Sequence, residues 1–234
     1  MQGFSQEKCL LQENKLLEND RRYALTQTAK VSNLTSWLPK SHFEQLVNQP
    51  SLAKIRLQLV KINPLVVRIN NQDEAFDLTS FDRRQVFVKT IEKLAKPAKY
   101  ISFNLVESVE GGLSDTRDQW VSIGGTASAN KLIETFKLDK SIFRFRLNIW
   151  IKTEFPFEEF SWKGRIGKIG DVELEFLSPV GRCNAINLSA ETGESTDKLL
   201  PQEMRAKFGH SNLGIFARVV KTGKVAINDE LYFI

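Results

Sequence analysis

The alternation of apolar and polar positions along this chain predicts many short strands and few helices. Strict alternation, which is typical of strands with one buried face, runs through residues 141–151 and 172–177. Further short apolar runs, each bounded by turn residues, predict strands at 23–27, 52–60, 64–69, 74–78, 100–107, 120–123, 166–169, 184–188, 213–220 and 224–227. The chain is therefore expected to be mainly β (a β-barrel of the α+β type), closed or nearly closed, with a few short peripheral helices.

Turn residues predict which of these strands form hairpins. Gly170-Asp171 separates two alternating runs, Asn63 separates 52–60 from 64–69, and Thr222-Gly223 separates the last two long runs. Residues 1–25 are interpreted as an opening hairpin that turns near Glu18-Asn19-Asp20. Each of these neighbours is expected to pair with the strand that follows it in sequence.

Helical spacing of apolar residues appears in a few places. At residues 38–47, Ser41 and Glu44 have the spacing of a capping box at a helix start. The other predicted helices cover residues 81–94, about 127–136, and 201–208. These segments are too few to change the expectation of a mainly β fold.

Composition places the chain among ordinary globular proteins. It has 234 residues, of which 41% are hydrophobic and 26% charged, enough for one large domain or two small packed ones. No apolar run approaches the roughly 18 residues of a membrane span, and the first residues lack the apolar core of a secretory leader. A cytoplasmic location without membrane partners is therefore expected. The net charge of +5 comes with scattered lysines, which favours a solvated basic surface over an acidic partner.

The two cysteines, Cys9 and Cys183, lie far apart in the chain. This favours reduced thiols over a disulfide framework, and two histidines are too few for the usual Cys/His zinc site. Cys9 lies in a strand-like run, where a packing role is expected. Cys183 has two interpretations from composition alone, an inert buried thiol or a functional one.

Arginines around Cys183 add support to the functional interpretation, while both interpretations stay open from the residues alone. Arg182 precedes it, and the predicted strand at 141–151 places Arg144, Arg146 and Asn148 on one face. Neighbouring positive charge favours a thiolate, which can attack or bind a soft metal, while guanidinium groups match anions such as phosphate. A site for a soft metal and an anionic group would explain both residue types. The alternative is a solvated sheet face.

Other polar features allow both a functional and a structural explanation. The turn Gly124-Gly125-Thr126-Ala127-Ser128 precedes a predicted helix and could bind an anion, or use glycine only for backbone freedom. Arg21 and Arg22 are expected to form salt bridges at a turn. The aromatic and acidic residues at 155–162 are expected mainly to pack.

Several ordered motifs resemble the MOSC family, the domains similar to the C-terminal domain of molybdenum cofactor sulfurase. The motifs are RFRLNIW, PFEEFSW, IGDVELE, GRCNAINLSAETG and FGHSNLGIFARVVKTGKVAINDEL. The match runs from about Gln119 to the last residue, and the start of the chain resembles the opening hairpin of longer members. The resemblance implies an N-terminal β module at residues 1–97 and a MOSC-type barrel domain at 98–234.

The resemblance also implies a molybdenum cofactor (Mo-molybdopterin) whose metal takes Cys183 as its protein ligand. In the family, the second arginine and the asparagine of the FRFRLN-like block contact the cofactor, which ranks Arg146 and Asn148 first. The other residues expected to bind the cofactor are Arg182, Arg144, Arg21, Ser128 and Gly181. Three places depart from the family pattern: Gln2 replaces a lysine, Gly181 replaces the serine of many reductases, and Ser189-Ala190 replaces Asp-Pro.

The activity implied by the resemblance is two-electron reduction of an N-oxygenated small molecule. The chain has neither the cysteines of an iron–sulfur cluster nor a G-x-G-x-x-G motif, so an external electron-transfer protein, ferredoxin-like or a flavin reductase, is expected. The alternatives are a sulfur carrier with a Cys183 persulfide and a cofactor carrier without turnover. A non-catalytic anion- or RNA-binding barrel is disfavoured because the aromatic residues alternate with core positions, and no nucleic-acid partner is expected.

Overall fold

A computed structural model describes residues 4–27, 33–97, 102–109 and 111–234, and strands dominate it. The described residues form two compact units, one from the segments 1–5, 19–118 and 192–194, the other from 6–18, 119–191 and 195–234. The predicted mainly β, α+β fold with a barrel-like sheet is confirmed. The predicted domain boundary after residue 97 stays a prediction.

In chain order the strands are β1 (Lys8–Leu11), β2 (Tyr23–Thr26), β3 (Asn33–Leu34), β4 (Leu57–Lys61), β5 (Val66–Ile69), β6 (Ala75–Asp77), β7 (Asn104–Ser108), β8 (Val121–Gly125), β9 (Ile149–Ile151), β10 (Ile166–Ile169), β11 (Val172–Gly181), β12 (Asn212–Lys221), β13 (Gly223–Ala226) and β14 (Leu231–Phe233). The α-helices of the described residues are α1 (Phe81–Ala95), α2 (Thr126–Phe136) and α3 (Leu200–Phe208), and they confirm three of the four predicted helices. None of the helices in the described ranges has the length and apolar character needed to cross a membrane.

The first unit packs α1 with two three-stranded sheets, ordered β2-β7-β3 and β4-β5-β6. Helix α1 begins where the Ser80 hydroxyl accepts a hydrogen bond from the Arg83 N–H, a usual N-cap arrangement. Its apolar residues fall on one face and join the side chains of the sheets in one core. That core includes Leu52, Ile55, Leu65, Val67, Ile69, Phe76, Phe87 and Ile91.

The second unit contains a six-stranded sheet, ordered β14-β10-β11-β12-β8-β9, which curls into a half-barrel. Strands β10 and β11 form the hairpin predicted across Gly170-Asp171, with Ile169 opposite Val172. One core lies on this sheet and includes Val121, Ile123, Trp162, Leu174, Phe176 and Ile215. A second core lies against α2 and α3 and includes Ala129, Leu132, Phe145, Ile186, Met204 and Leu213.

Two of the predicted hairpins are wrong. Strand β1 pairs with β13 and β2 pairs with β7, so the opening residues do not pair with each other. Strand β12 pairs with β11 and β8, whereas its sequence neighbour β13 pairs with β1. Leu11 and Val225 are buried in the same core. Turn residues alone therefore did not predict which strands pair. The observed pairing of β1 with β13 instead brings apolar side chains that are distant in sequence into one core.

The helix predicted at 38–47 is also wrong. Only a 3-10 turn forms, over Lys40–His42. Phe43 is extended, and the Glu44 N–H donates to the Leu25 carbonyl at 2.7 Å. This tertiary hydrogen bond at the end of β2 replaces the predicted capping box. The strand predicted at 52–60 is likewise shortened, because Pro50 begins a 3-10 helix that runs to Lys54.

Glu107, on β7, joins a charged cluster in the first unit. Its carboxylate accepts hydrogen bonds from Arg22 Nε at 2.9 Å and from the Tyr23 hydroxyl at 3.2 Å, and it pairs with Arg84. Burial by itself would raise the pKa of Glu107, but the hydrogen bonds from Arg22 and the charge of Arg84 outweigh burial and lower it. The carboxylate is therefore more acidic in the folded protein than in the unfolded chain.

We expect Glu107→Gln to lower the free energy of unfolding at neutral pH by about 2–4 kcal/mol, because Arg84 loses its counter-charge in a site where it is 9% exposed. The wild-type advantage should be complete above the ordinary glutamate pKa of about 4.3. It should disappear as the pH falls through the depressed folded-state pKa. Denaturant unfolding at neutral and acidic pH measures this difference.

Glu74→Gln is the matched control, since Glu74 pairs with Arg83 at the surface and exposed pairs contribute less than about 1 kcal/mol. An equal loss of stability at both pH values in Glu107→Gln would show that the effect is not one of charge.

Candidate functional site

Cys183 lies at an exposed position just beyond the end of β11. It precedes a 3-10 turn over Asn184–Asn187, where a strand had been predicted, and its carbonyl accepts the Ile186 N–H at 3.2 Å. The thiol is free and exposed, which rules out the interpretation of an inert buried cysteine. Cys9 is half-buried against the sheet core, and burial raises the pKa of its thiol.

The segment before β9 differs from its prediction. Residues 142–145 form a 3-10 turn, Arg146 follows with a left-handed φ of 52°, and the strand covers only Ile149–Ile151. The turn begins where Asp139 Oδ1 accepts the Ser141 N–H at 3.2 Å. The prediction that Arg144, Arg146 and Asn148 share one strand face is therefore wrong.

Arg146 lies half-buried beside Cys183. Its Nε is buried and has no hydrogen-bond partner within the described residues. Burial lowers the pKa of Arg146 to about 10, the negative charge of Cys183 opposes this shift, and the charge of Arg144 adds to it. At neutral pH Arg146 is therefore a cation near the thiol, with a buried donor available to an acceptor.

Arg144 has a different environment from Arg146. Its side chain is buried and forms an ion pair with Asp139. Arg144 Nη1 donates to the Ile186 carbonyl at 2.9 Å and to the Asn187 carbonyl at 3.3 Å. Arg144 therefore holds the backbone of the turn that follows Cys183.

Arg182 makes the reciprocal connection. Its Nη2 donates to the Phe145 carbonyl at 2.7 Å, and its backbone N–H donates to the Ser211 carbonyl at 2.9 Å. The segment before Arg146 and the segment around Cys183 thus exchange arginine-to-carbonyl hydrogen bonds. We call the bonds from Arg144 to the carbonyls of Ile186 and Asn187, with that from Arg182 to Phe145, the arginine clasp.

Asn148 connects the same segment to β8. Its Oδ1 accepts hydrogen bonds from the Ser122 N–H at 3.0 Å and from the Ser122 hydroxyl at 2.8 Å. Its backbone N–H donates to the Ser122 carbonyl at 2.9 Å. These bonds fix the chain between Arg146 and β9, and contact of Asn148 with a cofactor stays a prediction.

Gly181, at the end of β11, lies opposite Asn212. A Cβ added at Gly181 would meet only Asn212 Oδ1, at 3.8 Å, within 4 Å. The backbone thus leaves room for the serine of the family pattern, and packing does not require glycine here. The cofactor contact predicted for Gly181 stays a prediction.

Ser128 is fully buried in the first turn of α2. Its hydroxyl donates to Glu159 Oε2 at 2.6 Å and accepts the Phe157 N–H at 2.6 Å. The Ala127 N–H donates to Thr153 Oγ1 at 3.1 Å. The helix N-terminus, for which anion binding was one of two interpretations, thus has a carboxylate of the protein itself beside it, which the helix dipole favours. The cofactor contact predicted for Ser128 stays a prediction.

Glu159 was not singled out by sequence reasoning, although it lies in the predicted aromatic and acidic loop. It is 0% exposed, and its Oε1 accepts the Gly214 N–H at 3.1 Å. Gly214 has a φ of 80°, and a Cβ there would lie 2.7 Å from the Ile123 carbonyl oxygen, so only glycine suits this position. Glu159 therefore connects α2, its own loop and β12.

Arg21 belongs to the first unit. It has a left-handed φ of 52°, pairs with Asp20, and its carbonyl accepts the Leu113 N–H at 2.8 Å. These contacts agree with the salt-bridging interpretation, and its contact with a cofactor stays a prediction. Gln2 lies outside the described residues.

The aromatic loop at 155–162 packs only in part. Trp162 is buried in the sheet core, whereas Phe155 is 66% exposed. Phe157 packs against the core beside α2 and α3, and both Phe157 and Phe160 contact the ring of His210, with centroids at 4.8 and 5.2 Å. His210 Nδ1 accepts the Asn212 N–H at 3.2 Å. Nothing in the sequence singled out His210.

The chain matches the MOSC domain over residues 109–232, which is more than half of its length. It belongs to the MOSC domain family, and the resemblance seen in the sequence is confirmed.

Relatives of the chain include molybdenum cofactor sulfurases of insects. The protein of Drosophila mojavensis is 34% identical over 90 residues, which cover 38% of this chain and 11% of the relative. That of Drosophila ananassae is 37% identical over 79 residues, which cover 34% and 10%. The matched region thus spans about a tenth of the length of these curated relatives. The likeness supports a role related to the molybdenum cofactor.

We expect Arg146→Gln to lower the ratio of the iodoacetate to the iodoacetamide reaction rate at Cys183 by about threefold, the effect of one nearby charge in a watery environment. The same thiolate attacks both reagents and displaces iodide from each, so the ratio reports the local potential. Peptide mass spectrometry measures it, with Cys9 as the reference within the same molecule.

Arg146→Lys should retain most of the ratio, because it keeps the charge. Arg218→Gln removes an arginine from a surface pair with Glu175 and should leave the ratio unchanged. An Arg146→Gln protein with the wild-type ratio would contradict the proximity of the two groups.

We expect Ser128→Ala to reduce the free energy of unfolding by about 1–3 kcal/mol, because Glu159 Oε2 and the Phe157 N–H both lose a buried partner. Molybdenum and pterin content per folded protein should stay at the wild-type level. Ser161→Ala, at an exposed hydroxyl, is the control for stability. Loss of cofactor from a stable Ser128→Ala protein would instead indicate a direct binding role.

Proposed function

We propose that this protein binds the molybdenum cofactor, a molybdopterin that carries molybdenum, with the Cys183 thiolate as the protein ligand of the metal. The observation that carries the proposal is the exposed Cys183 thiol beside Arg146, whose buried Nε has no hydrogen-bond partner within the described residues. Membership of the MOSC family and the name of the relatives support the same cofactor.

The donor set fits the two chemically different parts of this cofactor. Thiolate is a soft ligand suited to a thiophilic metal. A guanidinium group is suited to a phosphate or another anionic oxygen. A buried donor without an acceptor is unfavourable by about 1–3 kcal/mol, and an anionic acceptor beside Arg146 Nε would remove that cost. Arg144 and Arg182 contribute through the arginine clasp, which supports the positions of Cys183 and Arg146.

When bound, the cofactor supplies two-electron redox chemistry, while this chain supplies binding and orientation. We propose reduction of an N-oxygenated small molecule, in which two electrons and two protons break the N–O bond and release water. The electrons would come from a separate ferredoxin-like protein or flavin reductase. Within this proposal Cys183 holds the metal, Arg146 balances negative charge, and Asn148 orients the chain next to both. We also propose that the protein is located in the cytoplasm.

A sulfur carrier is the second candidate function. Two observations favour it, the exposure of the Cys183 thiol and the relatives' name of molybdenum cofactor sulfurase. Cys183 would then hold a persulfide, taking its outer sulfur from a persulfide donor and passing it to an acceptor. A cofactor carrier without turnover uses the same site. Turnover of an amidoxime or hydroxylamine by reduced, loaded protein distinguishes the reductase from both carriers.

We expect wild type and Cys9→Ala, made in a host that produces the cofactor, to contain molybdenum and pterin, and Cys183→Ala to lose the metal. Elemental analysis measures molybdenum, and fluorescence after oxidation measures pterin. Cys9→Ala is the matched control because it removes the other thiol.

Wild-type protein that contains neither molybdenum nor pterin would contradict cofactor binding. A persulfide detected on Cys183 by mass spectrometry in that protein would favour the sulfur carrier.

A further inference from the structure

The position of Cys183 relative to Arg146 depends on two irregular segments that have no strand pairing at these residues. Cys183 precedes a 3-10 turn, and Arg146 follows another. The arginine clasp connects the two turns, with donors at 2.7, 2.9 and 3.3 Å from their carbonyl acceptors. These hydrogen bonds therefore connect the backbone beside the thiol to the backbone beside the half-buried cation.

Asp139 controls the Arg144 half of this clasp. One carboxylate oxygen, Oδ1, accepts at 3.2 Å the N–H of Ser141, the residue just before the turn that leads to Arg146. The other, Oδ2, pairs with Arg144 Nη2. One side chain thus fixes both the backbone that leads to Arg146 and the guanidinium that holds the turn after Cys183.

Because Arg144 is buried, its ion pair with Asp139 is needed to balance its charge. The residue is 3% exposed, and a buried guanidinium without a counter-charge is strongly unfavourable. Its two Nη groups are divided between Asp139 and the carbonyls of Ile186 and Asn187. Without Asp139, the buried position of the Arg144 side chain becomes unfavourable relative to water or to another anion. If the side chain moves out, the carbonyls of Ile186 and Asn187 lose their donor.

We propose that Asp139 is the positioning residue of this site, and that through Arg144 and the Ser141 turn it sets the spacing between Arg146 and Cys183. The inference deepens the proposed function, since it concerns the same site, but it depends only on contacts within the protein. Asp139 was not singled out in the sequence, where it belongs to a short polar stretch between α2 and the FRFRLN motif.

The test measures the iodoacetate-to-iodoacetamide rate ratio at Cys183 in full-length Asp139→Asn, produced in a host without the cofactor so that the thiol is free. Asparagine keeps an oxygen for the Ser141 N–H but removes the charge opposite Arg144. We expect the ratio to fall by about threefold, toward the Arg146→Gln value, because Arg146 is no longer held near the thiol.

The direction of the change separates positioning from simple electrostatics. Removal of a negative charge near Cys183, with the geometry intact, would attract the anionic reagent and raise the ratio. A role in stability alone would lower the melting temperature and leave the ratio at its wild-type value. A raised or unchanged ratio in folded Asp139→Asn would therefore overturn the proposal.

Arg144→Lys is the second variant, used also if Asp139→Asn does not fold. Lysine keeps the charge but lacks the planar fork that reaches both turns. The proposal therefore expects the iodoacetate-to-iodoacetamide ratio to fall, whereas simple electrostatics expects no change in it. Asp139→Glu should recover part of the wild-type ratio. Glu173→Gln, which removes a surface carboxylate paired with Lys221, should leave it unchanged.

The outcomes remain distinct from those of the proposed function. A lowered ratio in Asp139→Asn, together with a wild-type protein that takes up no molybdenum, would uphold the role of Asp139 and reject cofactor binding. Molybdenum uptake by wild type together with an unchanged ratio in both variants would do the reverse.

Discussion

The site depends on how one buried cation is neutralised. Arg144 is nearly inaccessible to water, and the two Nη groups of its guanidinium bind the Asp139 carboxylate and the carbonyls of Ile186 and Asn187. Its buried Nε has no hydrogen-bond partner within the described residues. Arg146 also has a buried Nε without a partner within the described residues, and it lies beside Cys183. Two arginines that are separated by one residue thus have different surroundings, since Arg144 binds groups of the protein itself and Arg146 lies beside the exposed Cys183 thiol.

Other polar residues that were predicted from the sequence to bind the cofactor also form hydrogen bonds within the protein. Ser128 and the N-terminus of α2 interact with Glu159, a carboxylate of the chain itself, and Asn148 Oδ1 is fixed to Ser122. Buried polar groups in proteins are nearly always hydrogen-bonded. Within the described residues, a buried Nε without a hydrogen-bond partner occurs on both Arg144 and Arg146, and Arg146 is the one whose charge interacts with Cys183.

Much of the fold followed from local sequence, because helix α1, helix α2 and the β10–β11 hairpin are encoded by capping, periodicity and a Gly-Asp turn. The FRFRLN segment did not follow its alternation. Arg144 is buried at a position that alternation predicts to be exposed. Its partner Ile186 is 42 residues away in sequence, and its nearer partner Asp139 has no pattern that predicts an ion pair. Cys183 and Arg146 were recognised through the family motifs, whereas Asp139, Glu159 and His210 needed the tertiary structure.

The most direct test of the central claim is the molybdenum X-ray absorption spectrum of the loaded protein, compared between wild type and a Cys183→Ser variant that still contains molybdenum and pterin. The account predicts that wild type has one more sulfur ligand on molybdenum than the variant, because Cys183 adds its thiolate to the sulfur atoms of the cofactor. An equal number of sulfur ligands in the two proteins would contradict the assignment of Cys183 as the metal ligand.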